Sequence, residues 1–130
     1  MRILGLDPGT RKCGYAVLSE LGAAPLELGI VPLAGLAGAL ADLLARFPID
    51  VVAIGHGTNA GVVSTEVAAL GLAFVLVDER ETTLRARGRF FADHPPQGWK
   101  RFIPRGMLVP DRPIDDYAAL LIAERYLRAA

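Results

Sequence analysis

Apolar residues in the first third of the chain occur in runs separated by turn residues, a pattern that predicts three strands. Residues 3–7 and 13–18 are apolar runs joined by a Pro-Gly-Thr-Arg turn, so a β-hairpin is expected. A third apolar stretch, residues 26–33, is long enough to pair antiparallel with the second strand. Pro25 and Pro32 restrict it to the edge of the sheet, because proline cannot donate a hydrogen bond to a neighbouring strand.

The middle of the chain alternates between helical and strand-like patterns. Leucine recurs at helical spacing through residues 33–47, which predicts a first helix that ends before Pro48. Residues 50–55 and 72–77 are short continuous apolar runs, typical of parallel strands buried on both faces. A glycine-rich loop and a short helix over residues 63–70 fit between them.

The last third is predicted to contain two helices separated by a long loop. Residues 81–91 can be helical, with Leu84, Phe90 and Phe91 as apolar contacts. Residues 93–113 are rich in proline and glycine, and residues 114–127 form an amphipathic helix. The core side of that helix is expected to carry Ile114, Tyr117, Ala118, Leu120 and Leu121. The order of elements predicts an α/β fold, in which helices flank a five-stranded mixed sheet of order 3-2-1-4-5. That arrangement is the ribonuclease H-like fold.

Composition supports one globular domain over residues 1–130. The chain of 130 residues is 52% hydrophobic and 22% charged, enough to bury a substantial core. It contains no apolar run of about 18 residues, and Met1-Arg2 leads directly into a strand, so no membrane segment or signal peptide is expected and the protein is predicted to be cytoplasmic. The single Cys13 is expected to be a buried structural thiol without a catalytic role.

Positive charge is concentrated in one segment although the net charge is zero. Eight basic residues lie between Arg80 and Arg112, opposed by only Glu81, Asp93 and Asp111. Such a segment in an otherwise acidic protein is typical of a protein that binds a polyanion, here RNA or DNA. The alternative is a solvated helix face.

Asp7 is the first candidate for chemistry, since an ionised carboxylate inside an apolar strand is costly unless a cation neutralises it. The alternative is that Asp7 ends the strand and accepts hydrogen bonds from the turn amides of Gly9 and Thr10.

The predicted sheet brings further acidic residues to the same edge. Glu79 follows the last strand, and Asp115 and Asp116 occupy the first turn of the final helix. Carboxylates forced together repel unless cations bind between them, and their hard oxygens suit Mg²⁺ or Mn²⁺. Each also has a structural explanation: Glu79 could pair with Arg80, and the two aspartates could stabilise the helix N-terminus.

Three stretches resemble the signature motifs of one family. These are Leu-Asp-Pro-Gly-Thr at residues 6–10, Val-Asp-Glu-Arg-Glu-Thr-Thr at residues 77–83, and Ile-Asp-Asp-Tyr-Ala-Ala-Leu-Leu-Ile at residues 114–122. Together they are similar to the YqgF family of ribonuclease H-like nucleases, which are related to the Holliday junction resolvase RuvC. The resemblance implies catalytic and metal-binding roles for Asp7, Glu79 and Asp115, while Asp116 falls where the family often carries a small polar residue.

The loop over residues 55–59, Gly-His-Gly-Thr-Asn, departs from the Gly-Leu-Pro-x-Asn stretch usual in that family. It is more similar to the Gly-x-Gly-Thr loop of the related domain in the transcription accessory protein Tex. We expect the loop to lie beside Asp7, where its amides and Thr58 could cradle a phosphate. His56 could orient water, bind phosphate, ligate metal or be structural.

These features predict a metal-dependent nuclease with a two-metal mechanism. Asp7 would bridge both ions, about 4 Å apart, and Glu79 and Asp115 would each hold one, with Asp116 as a further candidate ligand. The residues expected to contact nucleic acid are Thr10, Arg11, His56, Thr58, Asn59, Arg80, Arg85, Trp99, Lys100, Arg101 and Arg105. Trp99 could stack on an unpaired base or pack against the core.

Two other classes of function remain open at this point. One is a nucleic-acid-binding module that has lost cleavage. The other is an actin-like ATPase, which the first motif permits but which needs two such domains around its nucleotide. The substrate could be ribosomal RNA precursor, single-stranded nucleic acid or a four-way DNA junction. The protein is expected to be a monomer or a weak homodimer.

Overall fold

The computed structural model describes residues 2–78, 82–95, 98, 102 and 113–129, with the side chains of residues 82–84 excepted. Five strands and four α-helices lie in these segments. In chain order they are β1 (Ile3–Pro8), β2 (Lys12–Leu18), β3 (Glu27–Pro32), α1 (Leu36–Arg46, preceded by a 3-10 turn at Leu33–Gly35), β4 (Val51–Gly55), α2 (Ala60–Ala69), β5 (Phe74–Val77), α3 (Thr82–Asp93) and α4 (Asp115–Ala129). None of the helices in these segments is both long and apolar enough to cross a lipid bilayer.

The sheet has the predicted order, β3-β2-β1-β4-β5. The first three strands are antiparallel neighbours, and β4 and β5 run parallel to β1. The β1–β2 hairpin stays paired from Ile3↔Leu18 to Pro8↔Cys13, so the ladder continues through Asp7. The α/β ribonuclease H-like arrangement predicted from the pattern is confirmed.

Helices cover both faces of the sheet. On one face, Leu40 of α1 and Val63 of α2 pack with Leu4, Leu6 and other strand residues. On the opposite face α4 packs against the alternate residues of the same strands, which include Ile3, Ala16 and Ala53. Of the residues predicted for the core side of α4, Tyr117, Ala118 and Leu120 are buried, whereas Ile114 and Leu121 are partly buried.

Two glycines let α4 lie directly on the sheet. A Cβ atom at Gly5 would overlap the carbonyl oxygen of Ala119, and a Cβ atom at Gly14 would overlap the carbonyl group of Asp115. No larger residue fits at either position unless the helix moves away. Because Ala119 lies over β1 and Asp115 lies four residues earlier over β2, the N-terminus of α4 is held at the carboxyl end of β1.

The packing of α3 against α4 combines an aromatic cluster with polar links. Phe90 and Phe91 contact Tyr117 and Ala118, which confirms the two phenylalanines as the apolar side of α3. The Tyr117 hydroxyl donates a hydrogen bond to Asp93 (2.8 Å). The Arg89 guanidinium donates to the buried Glu124 carboxylate (2.6 Å), whose charge would be costly to bury without this partner.

Three details differ from the predictions. Residues 72–77 were expected to form a strand buried on both faces, but in β5 only Val77 is buried, because β5 is the outermost strand and has a neighbour on one side only. Helix α2 begins at Ala60 rather than at residue 63, and α4 extends to Ala129. The edge position predicted for β3 and the full burial predicted for β4 are confirmed.

An ionic network joins β3 to α1 on the outside of the sheet. Arg46 donates to both carboxylate oxygens of Glu27 (2.6 and 2.9 Å) and also to Asp42, while the Tyr15 hydroxyl donates to Glu27 (2.8 Å). The hydrogen bonds from Arg46 are the main reason that the pKa of Glu27 falls from 4.5 to about 2, and the Tyr15 hydroxyl acts in the same direction. Burial, and after it the same hydrogen bond to Glu27, raises the pKa of Tyr15 to about 12.

Substitution of Gly14 tests the close approach of α4. We expect Gly14→Ala to lower the free energy of unfolding by about 1–3 kcal/mol or more, because the new methyl group displaces the Asp115 backbone. The matched control is Gly38→Ala in α1, where nothing lies within 4 Å of the added Cβ atom and helix propensity favours alanine by about 1 kcal/mol. Urea unfolding of both variants measures the difference. Equal stability of the two variants would contradict the close packing.

The Glu27 network predicts a specific loss of stability in acid. Since its pKa is lower in the folded state, Glu27 stabilises the fold above about pH 4.5, and this contribution is lost as the pH falls towards 2. Glu27→Gln should therefore show a flatter decline of unfolding free energy between pH 5 and pH 2 than the parent protein, as measured by urea unfolding across that range. Glu20→Gln removes an exposed carboxylate of the same type and should leave the decline unchanged. If the unfolding free energy of Glu27→Gln falls with pH as steeply as that of the parent protein, the network does not contribute to stability in this pH range.

Candidate functional site

Asp7 lies on the face of the sheet that α4 covers. Side chains alternate along a strand, and Ile3 and Gly5 of β1 both contact α4, so Asp7 points to the same side. Its partner across the hairpin is Gly14. Asp7 is half-buried at the point where β1 ends.

The N-terminus of α4 brings a second carboxylate to this point. The Asp115 backbone rests on Gly14, the residue opposite Asp7, so the two aspartates sit together at the carboxyl end of β1. The charges of both aspartates affect the pKa of the neighbouring Cys13 thiol. Burial raises its pKa to about 12, and the negative charges of Asp7 and Asp115 add to the increase, although a backbone hydrogen bond involving Asp7 acts in the opposite direction. Cys13 is fully buried, as expected of a structural thiol.

Asp115 and Asp116 have different surroundings. Asp115 is half-buried and lies 3.6 Å from the ammonium nitrogen of Lys12, the first residue of β2. Asp116 is buried, and its Oδ1 atom accepts a hydrogen bond from the backbone amide of Tyr117 (3.0 Å). The structural alternative, stabilisation of a helix N-terminus, is therefore observed for Asp116.

A backbone hydrogen bond closes the turn after β1. The Gly9 amide donates to the carbonyl oxygen of Lys12 (2.9 Å) across the turn. The hairpin therefore ends in a tight backbone turn directly after Asp7 and Pro8.

The glycine-rich loop after β4 lies beside this turn, as predicted. A Cβ atom at Gly57 would overlap the carbonyl oxygen of Pro8, so the two loops are in direct backbone contact. The side-chain amide of Asn59 donates to the carbonyl oxygens of Gly9 (2.7 Å) and Thr10 (3.2 Å). Asn59 therefore joins the two loops, and its side chain does not cap α2.

The remaining predicted contact residues fall into two groups. Thr10, Arg11, His56 and Thr58 are exposed at this edge of the sheet, and Arg85 is exposed on α3. Five others lie outside the described residues: Arg80, Trp99, Lys100, Arg101 and Arg105. The predicted metal ligand Glu79 also lies outside them. Sequence reasoning missed Lys12. Its position at the end of the predicted hairpin turn, two residues before Gly14, the partner of Asp7, was the signal that could have identified it.

The oxygen-rich character of the site suits a hard divalent cation. Asp7 of β1 and Asp115 of α4 converge there. Strand β5 ends at the same edge, since its last residue, Val77, pairs with Gly55. Glu79 follows Val77 by two residues in the sequence. Hard cations prefer such oxygen ligands. Within the described segments, no group of three or more His, Cys, Asp or Glu side chains is arranged to hold a metal ion. The pair Asp7 and Asp115 therefore fits a metal site that needs at least one further ligand.

Comparison with solved structures shows where else this fold occurs. Thermus thermophilus RuvC superposes with a TM-score of 0.63 and 18% sequence identity over 99% of this chain and 95% of that chain. The T. thermophilus protein in complex with a Holliday junction substrate gives a TM-score of 0.65 and 19% identity over 100% of this chain and 96% of that chain. A Fowlpox virus resolvase bound to Holliday junction DNA gives a TM-score of 0.63 and 12% identity over 99% of this chain and 98% of that chain. At these identities the likeness establishes the fold.

Similarity at the level of sequence is confined to a short segment. The crossover junction endodeoxyribonuclease RuvC of Helicobacter pylori (strain G27) is 75% identical over 20 residues, which are 15% of this chain and 13% of that protein. The RuvC proteins of H. pylori strains P12 and J99 match to the same extent. The matched segment thus spans about an eighth of the length of these relatives. No protein-family model matches the chain.

Proposed function

We propose that this chain is a metal-dependent nuclease that hydrolyses phosphodiester bonds of nucleic acid, and that residues 1–130 form a single catalytic domain. The observation that carries the proposal is the contact of the Asp115 backbone with Gly14, directly opposite Asp7. Main-chain packing thereby brings the backbones of the two aspartates to the same point of the sheet. Two carboxylates that meet there repel each other unless a cation binds between them, so a cation is the occupant we propose.

Asp7, Asp115 and Glu79 are the proposed metal ligands, and Mg²⁺ or Mn²⁺ the proposed ions. In this proposal Asp7 would be shared by the two ions, and its position between the α4 N-terminus and the end of β4 supports that role. Asp116 is a weaker candidate, because one of its oxygens already accepts the Tyr117 amide. A pair of divalent ions would supply an activated water and charge stabilisation at the leaving oxygen.

The chain itself would bind and orient the substrate at the rim of this site. Arg11 and Thr10 are exposed on the turn that follows Asp7, and Thr58 is exposed on the adjoining loop. The first turn of α2 points its backbone amides towards the same edge, and no side chain caps it. Together these groups offer positive charge and hydrogen-bond donors to a phosphate next to the carboxylates. Lys12 offsets part of the negative charge of Asp115.

Four-way DNA junctions are the substrate we propose first. The fold is shared over nearly the whole chain with T. thermophilus RuvC and the Fowlpox virus resolvase, both of which have been solved with Holliday junctions. The motif resemblance to YqgF proteins makes structured ribosomal RNA precursor the second substrate to test. A labelled set of junction DNA, single-stranded DNA and structured RNA, incubated with Mg²⁺ or Mn²⁺, separates these possibilities.

Removal of the Asp7 charge is the direct test of catalysis. Asp7→Asn should abolish cleavage in that assay, because the ligand shared by the ions is lost. Without metal, its stability should be equal to or higher than that of the parent protein, since repulsion with Asp115 is relieved. The rise in melting temperature on adding Mn²⁺ should shrink, because binding to the native state is what produces it.

Glu20→Gln, which removes an exposed carboxylate in the β2–β3 connection at the other end of β2 from the turn after Asp7, is the control and should cleave normally. Full activity of Asp7→Asn would overturn the proposed mechanism. Nucleic-acid binding by the parent protein without cleavage under any metal condition would favour the alternative, a binding module that has lost catalysis.

Replacement of Arg11 tests the proposed binding rim. Arg11→Ala should weaken binding to all sequences, and the slope of log K against log salt should fall by about 0.9 on duplex DNA or about 0.7 on a single strand, the value for one phosphate contact. The control Arg128→Ala lies near the far end of α4, about 20 Å along the helix from Asp115. Fluorescence anisotropy at several salt concentrations, in Ca²⁺ to suppress cleavage, measures both slopes. An unchanged slope for Arg11→Ala would show that Arg11 contacts no phosphate and that nucleic acid binds to another surface.

A further inference from the structure

Lys12 is a basic side chain in contact with one of the proposed metal ligands. Alternate residues of β2 point to opposite faces of the sheet, and Gly14, Ala16 and Leu18 all lie on the face that α4 covers. Lys12 belongs to the same alternate set, so it points to the same face. Its ammonium nitrogen lies 3.6 Å from a carboxylate oxygen of Asp115.

The backbone of Lys12 is fixed on both sides, whereas its side chain is half-exposed. Its carbonyl oxygen accepts a hydrogen bond from the Gly9 amide across the turn (2.9 Å), and Lys12 pairs with Pro32 of β3. Lysine carries its charge at the end of a flexible four-carbon chain. The ammonium group can therefore change partner while the backbone that carries it stays in place.

Lys12 is also a diagonal neighbour of Asp7. Asp7 pairs with Gly14, and Lys12 lies two residues before Gly14 on the same strand and the same face. Diagonal neighbours on antiparallel strands have their Cβ atoms about 7 Å apart, which is within reach of a long side chain. A phosphate bound next to Asp7 and Asp115 would thus be within reach of the ammonium group.

The contact between Lys12 and Asp115 is weak enough for a divalent ion to replace it. Charge-assisted N–H···O hydrogen bonds are normally about 2.7–2.9 Å long, so at 3.6 Å this is an ionic contact without a good hydrogen bond. The two side chains are 45% and 33% exposed, and ion pairs at such positions change an equilibrium by no more than about fivefold. A divalent ion with a dissociation constant of about 100 μM, present at about 1 mM, favours its bound state about tenfold. The ion would therefore win Asp115 from Lys12.

We propose that Lys12 is a movable cation that couples metal binding to substrate binding. In one arrangement its ammonium group pairs with Asp115, as in the structure, and reduces the repulsion between the carboxylates. When a divalent ion binds Asp115, the ion repels the ammonium group, which turns to a phosphate of the nucleic acid. Lys12 thus competes with the metal but assists the substrate.

This inference deepens the proposed function and rests on it, since it requires a divalent ion at Asp115. It adds an order of events, because the chain gains a phosphate contact only after the metal has bound. Two ligands coupled in this way change each other's affinity by the same factor, so nucleic acid should also tighten metal binding. Replacement of Lys12 should remove its part of that coupling. A salt bridge that only stabilised the fold would have no such effect.

Calorimetric titration of the full chain with Mn²⁺, without nucleic acid, tests the competition. Lys12→Gln should bind Mn²⁺ more tightly than the parent protein, by up to about fivefold, because the competing ammonium group is gone. Lys12→Arg keeps the charge and should bind the ion no more tightly than the parent. The control Arg128→Gln removes one positive charge near the far end of α4 and should match the parent. Equal affinity of Lys12→Gln and the parent would overturn the inference.

Fluorescence anisotropy with labelled junction DNA tests the second arrangement. In Ca²⁺, which suppresses cleavage, Lys12→Gln should bind more weakly than the parent, and the slope of log K against log salt should fall by about 0.9, the value for one phosphate on a duplex. Lys12→Arg should restore that slope. In EDTA the parent and Lys12→Gln should have nearly equal slopes, because Lys12 stays with Asp115. A loss of slope that is the same in Ca²⁺ and EDTA, or absent from both, would contradict the coupling.

Cleavage assays on the same samples keep the two proposals separate. Metal binding and coupling through Lys12, in a protein that cuts no nucleic acid, would overturn the proposed function alone. A parent protein that cuts, combined with no effect of Lys12→Gln in either titration, would overturn the inference alone. Urea unfolding in EDTA establishes that each variant is folded, and Lys12→Met replaces Lys12→Gln if that variant is not.

Discussion

The close contact between helix α4 and the sheet at Gly5 and Gly14 is the constraint on which the site depends. Side chains normally separate a helix from the sheet that it covers, but here the Ala119 and Asp115 carbonyls rest directly on glycine. Because the contact is made by backbone atoms, it specifies the position of the helix along the strand as well as its distance. The contact therefore places the Asp115 backbone over Gly14, the residue opposite Asp7. The position of α3 follows in turn, through Tyr117 and Glu124 of the same helix.

The turn after Asp7 is held by a second, independent constraint. Asn59 would be expected to cap α2, since asparagine is among the best N-cap residues. Its amide instead bonds to the Gly9 and Thr10 carbonyls, and Gly57 lies against Pro8. The chain thus gives up roughly 1 kcal/mol of capping energy at α2 in order to join the two loops that flank the carboxylates. The amides of the α2 N-terminus are left facing the edge of the sheet at which a phosphate would bind.

Sequence patterns were sufficient to predict the order of strands, the two helical layers and the common location of Asp7, Asp115 and the glycine-rich loop. They succeeded because hydrophobic periodicity reports local structure and because the carboxyl ends of parallel strands share one edge. They failed where the outcome depended on distant neighbours. Residues 72–77 have the composition of a buried strand, yet Phe74, Val75 and Leu76 are exposed because β5 is the outermost strand among the described residues. The contact of Gly14 with Asp115 joins residues 101 positions apart, and no local pattern signals it.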